Sequence, residues 1–323
     1  MSRPLRIEYP DCWYHVMNRG RRGEDVFHST ADYQMFILLL KETCEEFGLR
    51  VSAYCLMPNH YHLLVNTPHA NLSRCMRHIN GVYTQRFNKE HEYDGQLFRG
   101  RYKSIVVEND EYLIEVMKYI HKNPVKAGLV ADLMDFPWCS HKGFLSKARK
   151  WEWLNREPLY ELLTRYKSRR KLEYLKFMEL AEPENITRFY GLKNLRPMLG
   201  TDIFCEEIKE RFRYLVSHKE MQNVKHLARG PEEIIATVCN HFKVDRMSLN
   251  KKRRGYDNIA RDAALYLLRL HRSETLAELG RYCGLESYST VSGILLRFKK
   301  RLKDDNVLQK RVIVIEKELH LGQ

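Results

Sequence analysis

The stretch Pro58-Asn59-His60-Tyr61-His62-Leu63-Leu64-Val65 decides how the rest of the chain is read. Its apolar run reads as a strand that begins after a break at Met57–Asn59, where Pro58 cannot donate to a ladder. Residues two apart on a strand project from one face. His60 and His62 therefore point together, while Tyr61 and Leu63 face the other way. Two neutral imidazoles so placed can fill two positions on one divalent cation. A third ligand must come from elsewhere. Taken alone, the pair is evenly balanced against two polar side chains on the wet face of a strand.

Outward from this strand, residues 5 to about 145 read as a mixed α/β unit. Ile7–Asn18 is an apolar and aromatic strand, followed by the turn-like basic segment Arg19–Gly23. Ala31–Phe47 has helical spacing in Phe36, Leu39, Leu40, Thr43 and Phe47, and stops at Gly48. Leu49–Asn66 gives two short strands. Leu72–Asn88 reads as a helix, Gln96–Glu108 as strands around Gly100, and Asp110–Asn123 as a helix ended by Pro124. Strands alternating with helices predict one sheet covered by helices.

Lys118-Tyr119-Ile120-His121-Lys122-Asn123-Pro124 carries the second candidate group. Tyr119 and Asn123, four apart, share a helix face. Asn123 can offer a carbonyl oxygen to a metal. A phenol is a weak nucleophile until its proton is taken or a cation lies beside it. In-line attack on a phosphodiester by such a phenolate would leave a phosphotyrosine link and a 3′-hydroxyl. Spacing alone favours a core or interface tyrosine, as most of the 19 tyrosines must be. By spacing Tyr112, seven residues earlier, is an equal candidate.

PNHYHLLV (58–65), LFRGRYKS (97–104) and YLIEVMKYIHKNPVKAGLV (112–130), in this order, resemble the Y1 transposase family of single-tyrosine HUH nucleases. That family includes IS200-like and REP-associated tyrosine transposases. The resemblance covers roughly residues 5–145. It implies a ferredoxin-like α/β fold, metal-dependent cleavage of single-stranded DNA near hairpins, and a 5′-phosphotyrosine intermediate. By position His60 and His62 match the metal ligands, and Tyr119 matches the nucleophile. IS200-like members usually carry Gln where this chain has Asn123, and the REP-associated branch tolerates Asn. Two nitrogens and one amide oxygen suit Mg²⁺ or Mn²⁺ in use.

Basic residues surround these motifs. On a strand Arg99, Arg101 and Lys103 form one face, and Phe98 and Tyr102 the other. The cations could track a phosphate backbone, or guard a sheet edge whose aromatics are core. Arg19, Arg21 and Arg22 could grip a hairpin or form a solvated turn. Arg74, Arg77 and Arg86 lie on the 72–88 helix. His15, His69, His78 and His121 receive no role.

Residues 146–230 are rich in Lys, Arg and Glu, carry no nameable motif, and read as a basic helical connector with a solvated surface. From Pro231 helical periodicity resumes over Glu232–Phe242, Asp257–His271, Thr275–Cys283, Ser289–Leu302 and Asp305–Leu319, predicting an all-helical domain over 231–323. Thr275–Leu279, a turn at Gly280–Leu285 and a helix capped by Ser287 or Ser289 fit a helix-turn-helix. The segment resembles the C-terminal DNA-binding domain of the replication initiator DnaA. Lys251, Lys252, Arg253 and Arg254 are candidate phosphate contacts, as is Arg297. Tyr288, Ser289, Thr290 and Ser292 are candidate base readers. Ser287-Tyr288 replaces that family's acidic–histidine pair, so its sequence preference does not carry over. A helical bundle that only packs on the first domain is the alternative.

The 323 residues suffice for two domains, and a net charge of +14 favours a polyanionic partner, as counterion release on phosphate binding requires. No apolar run approaches the roughly 20 residues a spanning helix needs, and the N-terminus lacks a signal-peptide core. The eight cysteines form no CxxC pair, which fits a reduced cytoplasmic setting, here the bacterial nucleoid. The leading expectation is a single-strand DNA nuclease and strand transferase that binds duplex DNA through its C-terminal domain. A non-enzymatic DNA-binding regulator on the same scaffold is the runner-up, and an RNA-binding protein a third reading.

Overall fold

The computed structural model describes residues 7–192, 195–217, 230–250, 257–271 and 274–321. The described chain forms two compact units. One comprises residues 11–68 and those from 72 to 217, the other those from 230 onward with the short pieces 8–10 and 69–71.

The first unit is built on a βαββαβ pattern. Strand β1 (Cys12–Arg19) leads to helix α1 (Thr30–Phe47), strands β2 (Arg50–Met57) and β3 (His60–Thr67), helix α2 (Leu72–Glu90) and strand β4 (Lys103–Val107). Helix α1 starts where Ser29 and Asp32 form a reciprocal capping box. It ends at Gly48, whose φ of 67° is the left-handed conformation glycine adopts without a Cβ clash. The sheet order is β2-β3-β1-β4, all antiparallel, as a ferredoxin-like fold requires, with a short fifth strand β5 (Met198–Leu199) joined parallel to β4.

The two faces of the sheet hold separate cores. On one, Tyr61 of β3 meets Phe36 of α1 (ring centroids 4.9 Å), and Phe36 meets Tyr83 of α2 (5.0 Å). On the other, Trp13, Ala53, Cys55, Leu64 and Ile105 pack with Leu113, Val116, Met117 and Ile120 of helix α3 (Glu111–Lys126). Burial of each such large side chain is worth about 1.5–3 kcal/mol. This second core is shared by four further helices: α4 (His141–Leu145), α5 (Glu157–Leu163), α6 (Arg170–Glu179) and α7 (Glu184–Tyr190). Leu159, Tyr174 and Ile186 are essentially inaccessible. The segment after residue 146 is therefore no solvated connector, because its apolar positions complete the α3 face. Helix α8 (Asp202–Ser217) ends the described part of this unit.

Two other expectations need correction. Only Lys103–Val107 is strand in the 96–108 segment. The preceding residues bond instead to the turn after β1, through Arg21 N–H to the Leu97 carbonyl (3.0 Å) and Arg99 N–H to the Arg19 carbonyl (2.9 Å). Helix α3 runs through Pro124 to Lys126. In the last turn the proline forfeits one backbone bond at most, so it does not end the helix. A 3₁₀ turn over Arg149–Trp151 precedes α5, and Pro158 stands in the first turn of that helix.

The second unit is helical: α9 (Pro231–Phe242), α10 (Ile259–His271), α11 (Leu276–Arg281), α12 (Tyr288–Asp304) and α13 (Asn306–Leu321). Its core gathers Ile235, Val238, Ala264, Leu268, Leu279, Val291, Ile294 and Ile315. Thr275 and Glu278 form a capping box for α11. Gly280 sits where a Cβ would lie 2.7 Å from both the Leu285 carbonyl oxygen and Val291, so the turn between α11 and α12 closes only on glycine.

Candidate functional site

Strand β3 lies between β2 and β1. His60 stands opposite Met57 and Arg19, and His62 opposite Cys55 and Met17. Both histidines belong to the face covered by α3, as the alternation predicts. Their ring centroids are 5.0 Å apart. Helix α3 places the Tyr119 ring 5.9 Å from that of His62. Tyr119, rather than Tyr112, is the tyrosine against the pair, since Tyr112 lies two turns back beside Asn185.

Each histidine has its Nδ1 occupied. Asn59 Nδ2 donates to the Gly23 carbonyl (3.1 Å), which turns Asn59 Oδ1 toward His60 Nδ1 at 2.6 Å. An amide oxygen only accepts, so His60 carries its proton on Nδ1 and its lone pair on Nε2. His62 Nδ1 meets His15 Nε2 at 2.9 Å, and His15 Nδ1 meets the Tyr190 hydroxyl at 2.8 Å. Burial keeps these rings neutral: His60 is held down to about 4, with Arg19 adding to the effect, and His15 to about 3. His62 is held well below the usual range by burial first, then by His15 and His60.

Tyr119 is half-buried. Burial, and secondly Glu182, raise its phenol above the ordinary value. The Tyr190 ring lies parallel to it, centroids 3.7 Å apart at 9°. Lys126 Nζ is 4.7 Å from the Tyr119 centroid and 2.5 Å from Glu182 Oε1. Asn123 Nδ2 donates to the Tyr119 carbonyl (2.8 Å), leaving the amide oxygen as its remaining donor for a cation.

Among the described residues no group of three His, Cys, Asp or Glu side chains is placed to hold a metal. The donor chemistry nevertheless fits a divalent cation. Paired imidazoles with Nδ1 engaged behind them match the outer-shell pattern of metal-bound histidine. The remaining positions would need an oxygen such as that of Asn123, water or phosphate.

The basic residues fall into two groups. Gly20 N–H donates to the Asn59 carbonyl (2.8 Å), so the turn carrying Arg19, Arg21 and Arg22 docks on the tip that carries His60. Arg99 joins it through its bond to Arg19. Arg19, Arg21, Arg22, Arg99, Arg101 and Lys103 are all exposed, while Phe98 and Tyr102 are buried. A cavity of about 520 Å³ beside Arg21 and Arg22 is also lined by Glu24, Asp25, Glu92 and Asp94, which disfavours phosphate there. In the second unit Tyr288, Ser289, Thr290 and Arg297 are exposed and Ser292 is partly so. Ser287 occupies the N-cap of α12 but makes no side-chain cap bond, because its hydroxyl pairs with that of Ser289 at 2.8 Å. Lys251, Lys252, Arg253 and Arg254 lie outside the described residues.

Sequence reasoning missed His15 and Tyr190. A histidine inside the apolar strand Cys12–Arg19 was a signal, since a buried imidazole needs partners. Tyr190 gave none, standing far along the chain among residues without a motif. His121, also without a role, is buried: its Nδ1 bonds the Tyr174 hydroxyl and its Nε2 the Ser140 hydroxyl, both at 2.8 Å. It ties α3 to α6 from the side away from Tyr119.

The fold and site define a ferredoxin-like unit with a histidine pair beneath a tyrosine helix, joined in one chain to a helix-turn-helix unit. Residues 8–123 match the family model described as "Transposase IS200 like", and residues 231–294 that described as "Bacterial dnaA protein helix-turn-helix". Both resemblances named from the sequence are therefore found. A putative REP-associated tyrosine transposase of Haemophilus influenzae is 28% identical over 31% of this chain and 63% of its own length. The chromosomal replication initiator protein DnaA of Bartonella quintana is 24% identical over 45% of this chain and 29% of its own. The chain thus spans under two thirds of either curated relative. A solved structure of a REP-associated tyrosine transposase bound to a REP hairpin aligns with a TM-score of 0.40 at 21% identity, covering 46% of this chain and 87% of that one.

Proposed function

We propose that this chain is a transposase-type enzyme that cuts and rejoins single-stranded DNA near hairpins through Tyr119. The observation that carries the reading is the Tyr119 ring held against His62, whose partner His60 is fixed with its lone pair on Nε2. His60, His62 and Asn123 would hold Mg²⁺ or Mn²⁺, and that cation would polarise the scissile phosphate. Arg19, Arg21, Arg22, Arg99, Arg101 and Lys103 would hold the strand by its phosphates.

Tyr119 stays protonated at rest, because burial and Glu182 disfavour its phenolate. In the step itself Tyr119 Oη forms a bond to phosphorus as the bond from phosphorus to the 3′ oxygen breaks. The phenolic proton leaves to water, and the departing oxygen takes one to become a 3′-hydroxyl. The 5′-phosphotyrosine product keeps a phosphodiester, so a 3′-hydroxyl of another strand can reverse the exchange.

The helix-turn-helix would bind duplex DNA. Tyr288, Ser289, Thr290 and Ser292 would face bases, and Arg297 with Lys251, Lys252, Arg253 and Arg254 would face phosphates. Of the segments 1–145, 146–230 and 231–323, we take the second to complete the core of the first, so that the two form one catalytic unit, and the third to be the DNA-binding unit. The expected setting is the bacterial cytoplasm, at the nucleoid. Wild type and Tyr119→Phe incubated with a hairpin-bearing single strand and Mn²⁺ test the reading on a denaturing gel. A covalent adduct with wild type alone supports it. No adduct with either sinks the enzyme and leaves a DNA-binding regulator.

A further inference from the structure

Tyr190 lies outside the segment that matches the transposase family model, yet it touches both halves of the proposed centre. Its ring is stacked on Tyr119, and its hydroxyl ends the buried chain Tyr190–His15–His62. We propose that Tyr190 is a positioning residue that makes His62 competent to bind a divalent cation, by accepting a hydrogen bond from His15 and so holding the His62 lone pair on Nε2. The inference rests on the metal reading of His60 and His62 given above.

Two facts distinguish the histidines. The His60 tautomer is fixed from behind by Asn59 and the Gly23 carbonyl, neither of which can run the other way. The His62 chain can run in either of two senses. In the first, His62 Nδ1–H donates to His15 Nε2, His15 Nδ1–H donates to the Tyr190 oxygen, and His62 Nε2 keeps a lone pair. In the second, Tyr190 donates to His15 Nδ1, His15 Nε2–H donates to His62 Nδ1, and the His62 proton sits on Nε2, where it blocks a ligand position. His15 is fully buried, so a proton on its Nδ1 needs an acceptor. Within the described residues the Tyr190 hydroxyl is the partner seen at that atom. Without it the first sense leaves a buried N–H unpaired, and the second wins. Partners of this kind behind a metal-bound histidine are worth roughly 10–100-fold in metal affinity.

The ring does separate work. Stacked at 3.7 Å, it holds the Tyr119 phenol in one plane. Tyr190→Phe therefore removes the hydroxyl and keeps the stack, whereas Tyr190→Leu removes both.

The test titrates the full-length protein with Mn²⁺, following free Mn²⁺ by electron paramagnetic resonance, for wild type, His60→Ala, Tyr190→Phe and Tyr190→Leu, with circular dichroism on each. Long-range ¹H–¹⁵N spectra of the metal-free wild type read the His62 tautomer without any substitution. We expect Mn²⁺ affinity to be lost in His60→Ala and to fall about tenfold in Tyr190→Phe with the melting curve retained. We also expect the wild-type His62 proton on Nδ1. In Tyr190→Phe, saturating Mn²⁺ restores adduct formation, whereas in Tyr190→Leu it does not. Wild-type affinity in Tyr190→Phe, or a wild-type His62 proton on Nε2, overturns the inference and leaves the metal reading standing. Mn²⁺ binding by wild type that His60→Ala does not disturb removes both.

Discussion

Glu182 sits where it controls the reactivity of Tyr119. Its carboxylate opposes the phenolate and pairs with Lys126, which lies over the Tyr119 ring. Burial is the larger cause of the raised phenol, and Glu182 the smaller. Glu182→Gln removes the negative charge and leaves Lys126 as an uncompensated cation over the ring. Both changes favour the phenolate. A tenfold change in phenolate population corresponds to about 1.4 kcal/mol, and removing the minor cause predicts a gain below that in the initial rate of adduct formation at neutral pH. Single-turnover gels read it directly. A slower rate would mean that Glu182 serves instead by anchoring Lys126.

At the scale of elements, the α3 face is finished by helices that lie beyond the family match. A chain ending at residue 145 loses Leu159, Tyr160, Tyr174, Met178, Ile186, Phe189 and Leu199 from its core. It also loses the hydroxyl that pairs with buried His121. We predict that such a chain fails to fold, while one ending at residue 217 retains a cooperative melt by circular dichroism. Equal melts would show that the later helices are dispensable. In the second unit, Gly280→Ala forces a Cβ to 2.7 Å from the Leu285 carbonyl, which belongs to the backbone and cannot swing aside. The expected cost is about 1–3 kcal/mol, seen as a lower melting temperature and weaker duplex binding.

These elements also mark how much was legible in the sequence. The period-2 pattern around His60 and His62 revealed the strand and the shared face, because alternation is a local property, whereas the helix that covers that face was named only through the family resemblance. The end of α1 at Gly48 was legible for the same reason. The segment at 96–102 was not, since its bonds go to the turn after β1 and not to a regular ladder. Tyr190 was hidden because nothing in its neighbourhood reports a contact with residues 71 and 175 positions away.

For the whole molecule, burial of neutral histidines predicts sensitivity to acid. His15 is held to about 3, His60 and His141 to about 4, and His62 and His121 well below the usual range, all chiefly by burial. Between pH 6.5 and those values the unfolded chain binds more protons than the folded one, so stability falls as pH falls. It is fully present above about pH 6.5. The urea midpoint of the first unit should therefore drop clearly from pH 7 to pH 5. A midpoint that stays level would contradict the buried histidine network.

The most direct test of the account is to find which tyrosine carries the DNA. After reaction with a hairpin-bearing single strand in Mn²⁺, nuclease trimming and trypsin digestion, mass spectrometry separates the two candidates, because Lys118 lies between Tyr112 and Tyr119. The account predicts a nucleotide 5′-phosphate on the peptide that begins at Tyr119, and its disappearance when Mn²⁺ is chelated. A modification on the peptide containing Tyr112, or none on either, would contradict it.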